Sequence, residues 1–291
     1  MVATPAKINL GLKILRRRAD GYHDIYTVME PISLADILYG EFHPEREDFT
    51  LNCPQLPELD PAANLVLRAA RAVAAVAQAR GLGKTGGWEF FLDKRIPSGA
   101  GLGGGSSNAG AVIRELEAFY GLDLTPTERL ELALSLGADV PFFLGPRLAL
   151  VEGIGERVTF LGSPRRRWYL LVQPPFAVNT ASAYSALEMS GERPAPDWDL
   201  AGLTQAAAAG RLPGENDFEI AVGASHPELY EIKAALAARA GCLGALMSGS
   251  GSVVYGVFAD FAAVTAAAGE LAEIWAGRDL HLFSACNLGF L

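Results

Sequence analysis

The chain has 291 residues, 50% of them hydrophobic and 20% charged, and a formal net charge of −9. That length accommodates one large or two ordinary domains with ample core. The negative balance argues against general attraction to nucleic acid or an anionic membrane surface, so an anionic ligand has to be held by local groups. Cys53, Cys242 and Cys286 are widely spaced without a metal-ligand pattern, which fits packing residues in a reduced cytoplasm. Neither an N-terminal signal nor an apolar run long enough to span a bilayer is legible.

Val2 to Leu15 alternates. Ala6, Ile8, Leu10, Leu12 and Ile14 share one face, and Lys7, Asn9, Gly11 and Lys13 the other. The pattern predicts a strand with Lys7 and Asn9 on the same side. Asp20-Gly21 marks a tight turn. Arg16, Arg17 and Arg18 read as a solvated hairpin end, with Tyr22 and His23 just past the turn. Ile25 to Leu38 and Tyr39 to Leu51 read as two further strands. Asp60-Pro61 opens a helix that continues to Arg80 and stops at Gly81, with Asn64 in its first turn. Trp88 to Ile96, which includes Lys94, reads as a strand. Ser107 to Tyr120 reads as a helix whose buried stripe is Ala109, Val112, Ile113, Leu116 and Phe119.

Between that strand and that helix runs P-S-G-A-G-L-G-G-G-S-S, Pro97 to Ser107. So glycine-rich a run costs backbone entropy to order. Feeding a helix N-terminus, it presents free N–H groups and a positive dipole end, which suits a phosphate. Gly99, Gly101 and Gly104 satisfy G-x-G-x-x-G, but a second helix follows where a dinucleotide-binding unit needs a strand. Gly83-Lys84-Thr85 ends like a Walker A loop, yet Gln78 stands where that loop needs glycine.

Thr125-x-x-Glu128 is a capping box with Pro126 at the first helical position, for a helix ending near Gly137. G-A-D-V-P follows, with Asp139 placed to cap a short helix. A domain change falls near residues 153–166, where Arg165, Arg166 and Arg167 read as a solvated loop. Beyond it come a strand at Trp168 to Gln173, a helix at Pro227 to Ala240, strands at Leu243 to Met247 and Ser252 to Phe258, a helix at Phe261 to Ala276 and a strand at Asp279 to Ala285. That order is β-α-β-β-α-β, the ferredoxin-like pattern, with a helical insertion near residues 180–215. Ser248 to Gly251 is a turn in which Gly249 and Gly251 allow close backbone approach.

Pro97 to Ser107, P-A-K-I-N-L-G-L at Pro5 to Leu12, and M-S-G-S-G-S at Met247 to Ser252 resemble the three ordered motifs of the GHMP kinases, a superfamily of small-molecule kinases. R-R-x-D-G-Y-H, ending at His23, and N-D-F-E at residues 216–219 resemble one branch of it. Members of that branch phosphorylate the 2-hydroxyl of a cytidine-diphosphate-linked methylerythritol during non-mevalonate isoprenoid precursor synthesis. The resemblance implies an α+β, two-domain GHMP kinase architecture. Residues 1–153 would form an N-terminal α/β ATP-binding domain, with the tail 283–291 returning to it. Residues 154–282 would form a C-terminal ferredoxin-like domain that completes the acceptor site, the substrates meeting in a cleft between the two.

The resemblance also implies ATP as phosphate donor and Mg2+. Pro97, Gly99, Gly101, Leu102, Gly103, Gly104, Gly105, Ser106 and Ser107 would hold the ATP phosphates, with Asn64 and Lys94 adding to the nucleotide site. Ser107, or Ser106 beside it, would reach the metal. Lys7 and Asp139 would be the catalytic pair. Asn9, Tyr22, His23, Thr180 and Tyr184 would take the acceptor. Tyr22 and Tyr184 would be the two faces of a slot for cytosine, and His23 would read its edge. The implied partners are these small molecules, neither nucleic acid nor membrane, and the implied compartment is the cytoplasm. Two alternatives stand beside this reading: another GHMP kinase acting on homoserine, mevalonate or a sugar, and a non-catalytic nucleotide-binding protein.

Overall fold

The computed structural model describes residues 1–58, 60–82, 86–162, 165–187 and 214–288, together with 191, 193–196, 198 and 202–203. Alternation at the N-terminus forms β1 (Val2–Arg17). The Asp20-Gly21 turn, with Gly21 at φ +88°, returns the chain as β2 (His23–His43). The two strands expected between Ile25 and Leu51 are instead one long strand and a short one, β3 (Phe49–Asn52). The break falls at Pro44, which has no N–H to give a ladder.

Contacts divide the chain into two compact units that interleave: Met1–Ala6, Ala35–Ile96 and Gly103–Pro146 form one, and Lys7–Leu34, Pro97–Leu102 and Arg147–Leu291 the other. This differs from the consecutive segments 1–153 and 154–282 suggested by sequence. β1 and β2 are long enough to contribute residues to both units, so no linker marks a boundary.

In the first unit β4 (Gly87–Asp93) pairs antiparallel with Ile37 to His43 of β2 and parallel with β3. α1 (Leu65–Ala79), α2 (Gly104–Tyr120), α3 (Pro126–Leu136) and α4 (Val140–Phe143) complete it. Val66, Ala70 and Val73 of α1, Phe90 and Leu92 of β4, and Val112, Ile113 and Leu116 of α2 share one core. α1 starts after Asn64, not at Pro61, because Asn64 is its N-cap and accepts the Val66 N–H at 2.8 Å. α2 starts at Gly104, three residues before the expected Ser107. Glycine is a poor helix former, but the first turn needs few internal bonds. The Thr125–Glu128 capping box is present.

In the second unit β5 (Ala149–Gly153) pairs with Ile25 to Met29 of β2 and with β6 (Arg157–Phe160). β7 (Trp168–Gln173), β8 (Cys242–Met247), β9 (Val254–Phe258) and β10 (His281–Cys286) form a separate antiparallel sheet in the order β10-β7-β9-β8. α5 (Thr180–Ser185), α6 (Phe218–Ser225) and α7 (Glu228–Ala237) lie between β7 and β8 in the chain, and α8 (Phe261–Ile274) between β9 and β10. Order and crossovers are those of the ferredoxin-like unit. Its core contains Leu170, Val172, Ile232, Leu236, Phe258, Val264 and Leu271. Half of the expected insertion at 180–215 lies outside the described residues. Of the tail, Phe283 to Cys286 belong to β10, Asn287 bridges to Ile32, and 289–291 lie outside the described residues.

Arg167 corrects the expectation of a solvated loop. Arg165 and Arg166 are exposed, but Arg167 is 1% exposed. Its Nη2 donates to Glu30 Oε1 at 2.6 Å and its Nε to Tyr169 Oη at 3.1 Å. A buried arginine needs such partners, and the carboxylate among them, Glu30, lies too far along the chain to be read beside it. Among the described residues no helix is long and apolar enough to cross a membrane.

Candidate active site

Lys7 is buried on β1, 3% exposed. Its ammonium donates to Asn9 Oδ1 at 2.7 Å and to the Gly101 carbonyl at 2.8 Å. Its backbone N–H donates to Leu102 O at 2.9 Å. The alternation that put Lys7 and Asn9 on one side of the strand is thus what lets the second hold the first. Asn9 Nδ2 donates to Thr27 Oγ1 at 2.9 Å, and that hydroxyl donates to Gly11 O at 2.6 Å. Asn9 was expected on the acceptor; both ends of its carboxamide are engaged inside the protein, which fixes where the Lys7 charge sits.

The glycine run takes backbone shapes that other residues rarely adopt. Gly99, Gly101 and Gly103 have φ of +64°, +75° and +68°. At Gly101 space matters as much: a Cβ there would lie 2.0 Å from the Ser248 carbonyl oxygen. Ser248 Oγ donates to Gly101 O at 2.9 Å, and Val253 N–H to Ala100 O at 3.3 Å. The M-S-G-S-G-S turn is therefore seated on residues 100–101, and Leu102 is buried behind them. Pro97 is half-buried.

In the first unit Gly103 is the N-cap of α2, in left-handed conformation, without a side-chain cap and without an acidic residue in the first turn. The first-turn N–H groups of Gly104, Gly105 and Ser106 are thus left for an anion, with the dipole unopposed. Gly105 is exposed, Ser106 half-buried and Ser107 buried. Lys94, expected on the nucleotide, has its ammonium on groups of the protein in this structure. Its ammonium meets Asp36 Oδ2 at 2.8 Å and also donates to Ile96 O. Asp36, fully buried, also accepts the Arg95 and Ile96 N–H groups at 2.8 and 2.7 Å. A Cβ on Gly104 would come 3.0 Å from Lys94 Nζ, so the pair lies directly against the start of α2.

Asp139 is the residue before the four-residue α4, yet its side chain makes no capping hydrogen bond there. Beside Asn64 is a cavity of about 220 Å³ lined by Leu51, Cys53, Leu56, Pro57 and Pro61. Sequence reading found only Asn64 of this set, because the rest carry no motif. Among the described residues no group of three His, Cys, Asp or Glu could hold a metal.

The acceptor candidates fall in the second unit. Thr180 opens α5, and its Oγ1 lies 2.9 Å from Ser250 Oγ in the M-S-G-S-G-S turn. The His23 and Tyr184 rings are stacked, centroids 4.6 Å apart and 17° between planes. Tyr184 also meets the edge of Phe218 at 4.8 Å. Tyr22 is 58% exposed. The structure therefore pairs Tyr184 with His23, the first residue of β2, where a slot between Tyr22 and Tyr184 was expected; Tyr22 precedes the strand and is exposed. Burial and the neighbouring Arg17 hold the His23 pKa below its ordinary value. Asn216 was not foreseen as a site residue: buried, it donates from Nδ2 to Met247 O and Gly249 O, both at 2.8 Å.

Residues 64–145 match the GHMP kinases N terminal domain and residues 199–277 the GHMP kinases C terminal domain. A solved homoserine kinase from Cytophaga hutchinsonii shares the fold at 17% identity, TM-score 0.66, over 98% of this chain and 94% of that one. With these two matches, the uncapped glycine-rich helix start, the lysine buried on its loop and the ferredoxin-like unit are those of a GHMP kinase, a class that uses ATP as phosphate donor. A 4-diphosphocytidyl-2-C-methyl-D-erythritol kinase from Solidesulfovibrio magneticus is 41% identical over 89% of this chain and 88% of its own. One from Syntrophus aciditrophicus is 38% identical over 88% and 89%. A crystal structure of 4-(cytidine 5'-diphospho)-2C-methyl-D-erythritol kinase matches at 36% identity and TM-score 0.79, covering 99% of both chains. The chain belongs to the 4-diphosphocytidyl-2-C-methyl-D-erythritol kinase family.

Proposed function

We propose that this enzyme transfers the γ-phosphate of ATP to the 2-hydroxyl of 4-diphosphocytidyl-2-C-methyl-D-erythritol. The observation that carries the chemistry is Lys7: a buried ammonium held on the Gly101 carbonyl, inside the loop that leads into the uncapped start of α2. Residues 97–107 bind the phosphates through backbone N–H groups and the helix dipole. The cavity beside Asn64 takes the adenine, its proline and leucine walls matching a flat apolar ring.

Lys7 offsets negative charge on the moving phosphoryl group, and Asp139 orients the acceptor hydroxyl and takes its proton. Asn9 holds Lys7 in place. Tyr184, His23 and Tyr22 bind the cytosine, and Thr180 the part of the acceptor nearest the Ser250 turn. The donor set fits magnesium carried by the nucleotide: the loop offers the Ser106 and Ser107 hydroxyls and no carboxylate cluster, and Mg2+ in such sites takes much of its shell from phosphate and water. The ion supplies charge neutralisation of the phosphates.

The test is ATP-dependent phosphorylation measured across a panel of acceptors. Turnover is expected with the cytidine-diphosphate methylerythritol and not with homoserine, mevalonate or galactose. Preference for one of the latter overturns the acceptor assignment. ATP binding with no turnover of any acceptor would favour a non-catalytic nucleotide-binding protein.

A further inference from the structure

The N-D-F-E segment takes no part in the chemistry above, yet each of its residues is tied to something that does. Asn216 spends both Nδ2 hydrogens on the carbonyls of Met247 and Gly249, and its Oδ1 accepts the Phe218 N–H at 3.0 Å. The turn so fixed is the one that meets Lys7. Ser248 Oγ shares the Gly101 carbonyl with the Lys7 ammonium, and a Cβ on Gly249 would stand 3.2 Å from Lys7 Nζ. Glu219 accepts the Met247 N–H at 2.9 Å, so the strand entering the turn is held as well. Asp217 accepts the Ile14 N–H at 2.9 Å, on the strand that carries Lys7. Phe218 is buried with the Tyr184 ring against it, and Tyr184 stacks on His23.

We propose that Asn216 to Glu219 is a positioning clamp for the acceptor half of the site: Asn216 sets Lys7 through the 247–249 turn, and Phe218 sets the Tyr184 ring. The clamp rests on the roles proposed for Lys7 and Tyr184. Its physical basis is that two buried carbonyls without a donor draw the turn toward other partners. The ammonium packed against that turn then shifts, and misplacement of a catalytic group by about 1 Å costs about 10²-fold in rate. The base end is affected through the Phe218 ring against Tyr184, apart from the Asn216 hydrogen bonds to the turn.

The experiment is steady-state kinetics on Asn216→Ala, Phe218→Leu, Lys7→Ala and the double variant of Asn216 and Lys7. Ile232→Val, a core change in the same unit, serves as the stability control. Asn216→Ala is expected to lower kcat by roughly ten- to a hundredfold with acceptor KM little changed. Phe218→Leu keeps the position apolar while removing the ring that meets Tyr184, and is expected to raise acceptor KM with kcat retained. In the Lys7→Ala background, loss of the Asn216 carboxamide should cost little more, since groups acting as a unit are not additive. Where Asn216→Ala does not fold, Asn216→Ser keeps one donor and should give an intermediate kcat. Additive losses in the double variant, or an Asn216→Ala kcat no lower than that of Ile232→Val beside a crippled Lys7→Ala, overturn the clamp alone. Undiminished kcat in folded Lys7→Ala overturns the role of Lys7 and the clamp with it.

Discussion

Tyr184 lies stacked on His23, ring centroids 4.6 Å apart, a separation that leaves no space for a third ring between them. In the proposed acceptor site the cytosine meets an existing pair, and Tyr22 is exposed. Base–aromatic stacking is worth about 1–3 kcal/mol, and about 1.4 kcal/mol is tenfold in affinity. Tyr184→Ala should therefore weaken binding of cytidine diphosphate by about tenfold or more, while Tyr184→Phe, which keeps the ring, should be nearly neutral. Tyr22→Ala should cost less than Tyr184→Ala. Calorimetric Kd values decide this, and an unchanged Kd in Tyr184→Ala removes the ring pair from the acceptor site.

His23 gives the same site a pH dependence. Burial first, and then the Arg17 charge, lower its pKa from the ordinary 6.5. The imidazole is neutral at neutral pH, with one ring nitrogen left as an acceptor. Acceptor affinity should be flat from about pH 8 down through the ordinary histidine range and fall below it as the ring charges. The stability linkage has the same sign. The contribution is intact above the unfolded-state pKa and is lost as pH falls through the depressed folded-state value. Arg17→Gln removes one cause of the depression and should move the fall to higher pH. An NMR titration of the ring beside Kd measured against pH would check it; a midpoint at or above 6.5 in the unaltered protein contradicts the argument.

Lys7 and Asp139 should act on the chemical step and not on nucleotide binding. Removing a positioned acid–base or charge-offsetting group typically lowers kcat by roughly 10²–10⁴-fold. Lys7→Ala and Asp139→Asn should each fall in that range with ATP affinity kept. The buried ammonium is held by Asn9 and Gly101, whose partial charges Lys7→Ala leaves behind, so its folding should be confirmed first. Near-normal kcat in either folded variant would sink the assignment.

Much of this site can be read along the chain because its signals are local. Lys7 and Asn9 share a face by strand alternation, and glycines lead straight into α2. The second unit's strand and helix order is itself the ferredoxin-like sequence of elements. The missed features join residues far apart. Asp36 lies 58 positions before the Lys94 it pairs with, in an apolar stretch where a lone carboxylate announces no partner. His23 reads as an edge reader until Tyr184 folds over it. Asn216 reads as a family motif without a task, because its task is the backbone of a turn some thirty residues on. Charge and polarity on a strand do not reveal burial; the partner does.

Arg167 and Glu30 give the sharpest stability prediction. Their side chains are 2% and 0% exposed, and they meet at 2.6 Å across 137 positions of sequence. Burial works against the Arg167 charge, but Tyr169 and Glu30 beside it outweigh that and hold it protonated. Asn287 completes the set. It donates from Nδ2 to Glu30 Oε1 at 3.1 Å and accepts the Arg167 N–H on Oδ1 at 3.0 Å, while the Tyr169 hydroxyl donates to Glu30 Oε2. Removing one partner of such a pair strands the other charge without water, which costs about 3–5 kcal/mol; replacing both by apolar groups of similar volume is often near neutral. Glu30→Leu and Arg167→Met should each lower the unfolding free energy by about 3–5 kcal/mol. The double variant should lose much less than the sum, though not nothing, since Tyr169 and Asn287 keep polar groups that Glu30 now satisfies. Urea unfolding of the four proteins gives the coupling directly. Additive losses would mean the pair is no more than two separate packing residues.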